Sequence, residues 1–136
     1  MLRAQDQAFL RERGLVWELI PDPASNQACL VIKGFDVSGG GFAPAATDLM
    51  IRIPAGYPMT PLDMWYCDPP IRLRATGQYA PASDYVETHA GRRWQRFSRH
   101  LNQTPWQPGV DSLRSFFVHI QRELQGAGKV TECAPA

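Results

Sequence analysis

The sequence predicts an α+β layer in which an antiparallel four-stranded meander runs between an N-terminal and a C-terminal helix. Three observations carry this. A short helical segment opens the chain, four β-type runs separated by turn formers follow, and an apolar stripe at helical spacing closes it. At 136 residues, with 44% hydrophobic and 20% charged residues, the chain has the size and composition of one globular domain with its own core. That domain is expected over residues 1–125, followed by a flexible C-terminal tail over 126–136 that has nothing to pack.

The first helix is read over residues 3–13, where Ala4, Phe9 and Leu10 stand among polar residues and Gly14 stops the run. "LVWELI" (15–20) and "ACLVIKGFDV" (28–37) are rich in Val, Ile, Leu and aromatics, with Pro21, Asp22, Pro23, Ser25 and Asn26 between them. They form a hairpin. "SGGGFAPAA" (38–46) reads as a flexible loop, since three consecutive glycines pin nothing. "TDLMIRI" (47–53) is a third strand and "DMWYC" (63–67) a fourth; the proline-rich "PAGYPMTP" between them cannot join a ladder. From Asp68 to Pro105 no regular element is evident, which in a compact domain marks a functional segment. "VDSLRSFFVHIQREL" (110–124) then places Leu113, Phe116, Phe117, Ile120 and Leu124 on one helical face, with Asp111 or Ser112 as cap.

No apolar run is long enough to span a membrane, and the N-terminus lacks the apolar centre of a secretion signal, so a cytoplasmic protein is expected. Cys29, Cys67 and Cys133 share no metal-ligand spacing and are odd in number, which suits a reducing compartment; neither a metal nor a cofactor is expected.

The segment "GRRWQRFSRHLNQTPWQPG" (91–109) holds four arginines, two tryptophans, a serine and a histidine in nineteen residues, with no acid. The net charge of the whole chain is nevertheless only +1. Nucleic-acid modules need a large basic excess because phosphate neutralisation supplies most of their affinity. Locally concentrated arginine therefore favours one small anionic or polar partner over a phosphate backbone.

Two segments resemble a known family. "IRIPAGYPMTPLDMWYCDPP" is similar to the strand, Tyr-Pro turn and proline-containing crossing of ubiquitin-conjugating (E2-type) enzymes, and "TPWQPGVDSLRSFFVHIQREL" is similar to their Trp-x-Pro segment entering a long helix. Roughly residues 3–125 take part. The branch that the chain resembles is the bacterial E2 family E, whose genes lie beside those of ubiquitin-like proteins and adenylating enzymes. The resemblance implies the ubiquitin-conjugating-enzyme-like fold, with a ubiquitin-like protein, an adenylating (activating) enzyme and a nearby deconjugating peptidase as partners. Antiphage defence is what that company suggests.

The departures bear on the chemistry. The eukaryotic enzymes carry a His-Pro-Asn motif after the fourth strand, where this chain has Asp68-Pro69-Pro70. They place a cysteine nucleophile shortly before the tryptophan; here the position eight residues before Trp106 is Ser98, and no cysteine lies between Cys67 and Cys133. The resemblance is compatible with a serine oxyester, as ascribed to relatives in bacterial ubiquitin-like systems. A serine hydroxyl needs an adjacent base and a positive or hydrogen-bonding group at the developing oxyanion. His100, two residues on and on the same side of an extended segment, is the candidate base, with His89 as competitor; His119 is read as structural. Arg93, Arg96 and Arg99 surround Ser98 in sequence.

The expected catalytic set is thus Ser98, His100 and Arg96, and the expected partner-binding set is Arg93, Trp94 and Arg99. The plainer readings are Ser98 as a polar turn residue, the arginines as binders of a partner's acidic side chains, and Trp94 as a packing anchor. Cys67 is the rival nucleophile, on a half-buried strand. The functional readings are an E2-like carrier enzyme that passes an acyl group from Ser98 to a target amine, a non-catalytic E2-like binding module, and a small nucleic-acid-binding domain.

Overall fold

The computed structural model describes residues 2–99 and 105–126. In chain order the elements are helix α1 (Ala4–Glu12), strands β1 (Trp17–Asp22) and β2 (Gln27–Asp36), a 3₁₀ turn (Ser38–Gly40), and strands β3 (Phe42–Ala43) and β4 (Ala46–Ile53). Strands β5 (Trp65–Asp68), β6 (Arg72–Leu73), β7 (Tyr85–His89) and β8 (Arg92–Phe97) follow, then helix α2 (Leu113–Leu124). The main sheet has six strands in the order β1-β2-β4-β5-β8-β7, every neighbouring pair antiparallel, and β3 pairs with β6 in a small second sheet.

The α+β class therefore stands, and the four expected strands lie side by side in chain order. The sheet is larger than expected. A hairpin of β7 and β8 docks on β5, with Trp65 opposite Phe97 and Cys67 opposite Gln95, and makes six strands of four. The stretch between Asp68 and Pro105 is thus not irregular throughout, and Arg92–Phe97 of the arginine-rich segment is an interior strand rather than a loop.

Strand alternation divides the apolar residues between two faces. Leu30, Ile32, Leu49, Ile51, Trp65 and Phe97 face the helices, where Phe9 and Leu10 of α1 and the stripe of α2 cover them. Edge-on ring contacts join these layers, including Phe35 to Phe117 at 5.6 Å and Trp65 to Phe116 at 6.0 Å. Cys29, Val31, Met50, Tyr66 and Trp94 form a smaller cluster on the face without helices.

The Tyr-Pro turn ties both helices to the sheet. The Tyr57 hydroxyl donates to the buried Asp6 of α1 at 2.9 Å and accepts from the Leu113 amide at the start of α2 at 2.8 Å. Trp106 donates its indole N–H to the Pro58 carbonyl at 2.8 Å. Ser112, one of the two expected caps, is the N-cap residue of α2: its amide donates to the Ser115 hydroxyl, which also lies 3.1 Å from the Asp111 carboxylate.

The triple glycine is not a free loop. It forms the 3₁₀ turn against the C-terminal end of α2, where a Cβ on Gly40 would collide with the Leu124 carbonyl oxygen and one on Gly39 would come within 2.9 Å of that of Gln125. Glycine is needed there for close approach. Among the described residues no helix is long and apolar enough to cross a membrane. Apart from Gly126, the expected tail over 126–136 lies outside the described residues.

Candidate functional site

The site grows from the β7–β8 hairpin. Ala90 and Gly91, with φ of 53° and 73°, make the two-residue turn whose positive φ values match the twist of the flanking strands. Alternation along β8 then sends Arg92, Trp94 and Arg96 to the face without helices, and Arg93, Gln95 and Phe97 to the other.

Trp94 is fully buried in the smaller cluster, with its indole N–H donated to the His89 carbonyl at 3.0 Å. It anchors the strand, and no partner reaches its ring while β8 stays in place. Gln95, also buried, accepts from the Ile71 amide at 2.8 Å and donates to the carbonyls of Ile71 at 2.9 Å and Ser83 at 2.8 Å. One amide side chain thereby supplies a missing backbone partner to the segment that crosses beside β8.

The arginines have internal partners. Arg92 donates to Asp68 at 2.9 Å and Asp48 at 3.1 Å, with its guanidinium 4.3 Å from the Trp94 ring centre. Burial disfavours its charge, but the two carboxylates outweigh that and raise its pKa. Arg99 grips both Glu123 carboxylate oxygens at 2.6 Å, a bidentate pair that ties the end of β8 to α2. Arg96 donates to Glu87 at 2.6 Å and lies over Tyr85. Glu87 also meets His89 at 2.7 Å and receives the Tyr66 hydroxyl at 3.3 Å. Burial works against the Glu87 carboxylate, yet the hydrogen bonds from His89 and Arg96 hold its pKa below the ordinary value. Beyond His89 lies Arg52, which is 3.5 Å from Asp22. Arg93 is exposed and has no acidic partner among the described residues.

Ser98 is half-buried just past the end of β8. Its amide donates to the Ala82 carbonyl at 3.0 Å, and its hydroxyl oxygen accepts from Arg96 Nε at 3.0 Å. Of the three arginines expected around it, only Arg96 reaches the hydroxyl. Arg99 donates to the Ser98 carbonyl at 3.1 Å, and Arg93 alternates to the opposite face. A guanidinium on the oxygen favours negative charge there but removes no proton. His100, the expected base, lies outside the described residues. His89 is opposite Arg92, six residues before Ser98, hence roughly 20 Å down the strand and out of reach of its hydroxyl.

The thiols are shut away. Cys67 is fully buried on β5, and burial pushes its pKa up, as it does for Cys29. A buried cysteine with a raised pKa supplies little thiolate, and Cys67 has no exposed surface in this fold. Among the described residues no group of three His, Cys, Asp or Glu is placed to hold a metal ion.

Sequence reasoning missed Glu87, Asp48, Asp68 and Glu123 as partners of the arginines. They lie 9, 44, 24 and 24 residues from the arginines they meet, so only the β7–β8 hairpin gave a local signal. Gln95 gave none, because a glutamine inside "RRWQRF" reads as a surface residue.

No curated protein and no solved structure matches the chain. A family model described as Prokaryotic E2 family E matches residues 2–127, a span that takes in both helices, every strand and Ser98. The chain belongs to prokaryotic E2 family E.

Proposed function

We propose that this protein is a carrier enzyme in a ubiquitin-like protein conjugation pathway, with Ser98 as the acyl acceptor. Its partners in this reading are the ubiquitin-like protein, the adenylating enzyme that activates it and a deconjugating peptidase encoded nearby. Family membership supports the E2-like role. One observation supports the serine: the Ser98 hydroxyl is held at 3.0 Å by Arg96, itself fixed on Glu87, while both described cysteines are buried.

The acyl group arrives as a thioester on the activating enzyme. Ser98 Oγ attacks the carbonyl carbon, a C–O bond forms, the C–S bond breaks, and the hydroxyl proton ends on the departing thiolate. The Arg96 guanidinium stabilises charge on the serine oxygen as it develops, and His100 is the proposed proton carrier. A target amine then attacks the ester; a C–N bond forms, the C–O bond breaks, and Ser98 regains its proton.

Incubation with activating enzyme, ATP and ubiquitin-like protein should give an adduct that survives thiols and yields to hydroxide. Ser98→Ala should abolish it and Cys67→Ala should leave it intact. Ser98→Cys should keep it and make it thiol-sensitive, because a thiol ionises with less help. His100→Ala should slow its formation by roughly 10²–10⁴-fold. An adduct that persists in Ser98→Ala sinks the serine assignment.

A non-catalytic module that binds the same partners is the second reading. It is favoured by the hydroxyl having a guanidinium and no proton acceptor within hydrogen-bond reach among the described residues. Tight binding with no adduct in any variant would establish it. The nucleic-acid reading is disfavoured by the net charge of +1 and by the internal pairing of Arg92, Arg96 and Arg99.

A further inference from the structure

Strand β7 is the outer strand of the six-stranded sheet, and the register and turn of its hairpin reveal which of its backbone groups are unused. A two-residue turn with both φ values positive is closed by a hydrogen-bonded pair, here His89 and Arg92. Hydrogen-bonded and non-hydrogen-bonded pairs alternate in an antiparallel ladder. Glu87 with Trp94, and Tyr85 with Arg96, are therefore bonded pairs, whereas Val86 and Thr88 turn their N–H and C=O groups away from β8. Among the described residues those outward groups have no backbone partner.

Outer strands are normally blunted by proline, by a bulge or by a covering segment. At the other edge of the sheet β1 carries Pro21. Strand β7 has no proline and no irregularity in its pairing, and it exposes Tyr85 at 55% and Val86 at 40%. Among the described residues it is a regular, open edge.

Its position gives that edge an occupant. Tyr85, the first residue of β7, is opposite Arg96, the residue bonded to the Ser98 hydroxyl. A strand added beyond β7 would lie about 10 Å from the β8 line, two strand spacings, which about three extended residues can cross. Only a chain antiparallel to β7 would leave at the Tyr85 end, the end nearest Ser98, with its C-terminus leading.

We infer that the open edge of β7 is a strand-addition site that takes the extended C-terminal segment of the ubiquitin-like protein, antiparallel to β7, and delivers its terminal carbonyl toward Ser98. The inference rests on the carrier reading for the identity of its occupant. Main-chain bonds to Val86 and Thr88 would supply the affinity, and exposed Val86 and Tyr85 would supply side-chain contact, as in other strand-addition complexes.

The test is amide hydrogen exchange on the full ¹⁵N-labelled chain, with the acetylated peptide Val-Thr-Val-Thr-Val-Gly-Gly, free at its C-terminus, as probe. Without the probe, Val86 and Thr88 should exchange fast and Glu87 and His89 slowly. With it, Val86 and Thr88 should gain protection. Val86→Pro and Thr88→Pro each remove one outward donor and spare the bonds to β8, so either should lose the probe-dependent protection at the other position while the remaining amide spectrum is kept. In the conjugation assay both variants should also slow adduct formation with the ubiquitin-like protein.

Two results overturn the inference. One is no protection at Val86 and Thr88 while the Ser98 adduct forms at the same rate in the proline variants, which leaves the carrier reading standing. The other is protection that rises with protein concentration and needs no peptide, which assigns the edge to a second copy of this chain. Protection by the peptide with no Ser98 adduct supports the edge and sinks the carrier reading, so the two failures are distinguishable.

Discussion

The two faces of the sheet are held by different physics. Beneath the helices, Phe9, Leu30, Ile51, Trp65, Phe97 and the α2 stripe exclude water in one continuous apolar cluster. On the other face an apolar patch centred on Trp94 is roofed by paired charge: Arg92 between Asp48 and Asp68, and Glu87 between Arg96 and His89. Apolar burial is non-directional and tolerates many residue choices, whereas paired charge depends on which partner the fold brings across. Ser98 sits at the end of the second kind of surface. Its hydroxyl belongs to a chain of directed bonds, and the neighbouring core contributes only the platform.

The largest expected effect tests whether the charged roof can hold its face without its apolar floor. Trp94→Ala removes a fully buried indole and the bond to the His89 carbonyl, and should cost about 3–5 kcal/mol in a denaturant titration. Phe116→Ala beneath the helices should cost a similar amount. If Trp94→Ala cost less than about 1 kcal/mol, the ion pairs would be carrying the face by themselves.

Gly40→Ala should come next, at about 1–3 kcal/mol, because the new methyl meets the Leu124 carbonyl rather than a side chain that can move aside. Thermal unfolding would measure it. No loss of stability would mean that the 3₁₀ turn can lift from α2 freely, as the sequence alone suggests for three consecutive glycines.

What was legible in the sequence follows the same division. The expected spans 28–37, 47–53 and 110–124 came within three residues of β2, β4 and α2, because their apolar residues recur at the period of the element. Strand β8 was not legible. Its two large apolar residues, Trp94 and Phe97, are three apart and face opposite sides, so no strand period appears in "RRWQRF". Its remaining positions are arginines balanced by distant acids and a buried Gln95 bonded to backbone. The resemblance located Ser98, but its bond from Arg96 depends on Glu87, which only the hairpin brings near. The Ala90-Gly91 turn was the one local cue to that hairpin.

Alkaline titration compares the faces through two phenols. Burial pushes Tyr57, on the helix side, and Tyr66, on the open face, each up to about 12, and the Asp6 and Glu87 carboxylates add to the effect. An unfolded tyrosine ionises near ~10, so the folded chain holds these protons more tightly. The stability they contribute is complete below pH ~10 and is lost as pH rises through about 12. Tyr66→Phe should remove its share of that loss and make the alkaline limb of the stability curve shallower. An unchanged limb in Tyr66→Phe would show that the open face admits hydroxide without unfolding.

The smallest expected effect separates the arginines of β8 from one another. Arg93 is exposed on the helix-side face with no acidic partner among the described residues, whereas Arg92, one residue earlier, lies between two carboxylates and over an indole ring. Arg93→Ala should change stability by less than about 0.5 kcal/mol, as surface substitutions away from specific contacts do. Arg92→Ala should cost more, since it uncovers Trp94 and leaves Asp48 and Asp68 facing each other without a cation. Raised salt should narrow the difference by screening the repulsion between those acids, but should not close it, because the lost cover over the ring is not electrostatic. Equal stabilities of the two variants at low salt would mean that the roof of the open face is an ordinary solvated surface. The arginines of "GRRWQRF" would then be free for a partner after all, as the sequence read alone suggests.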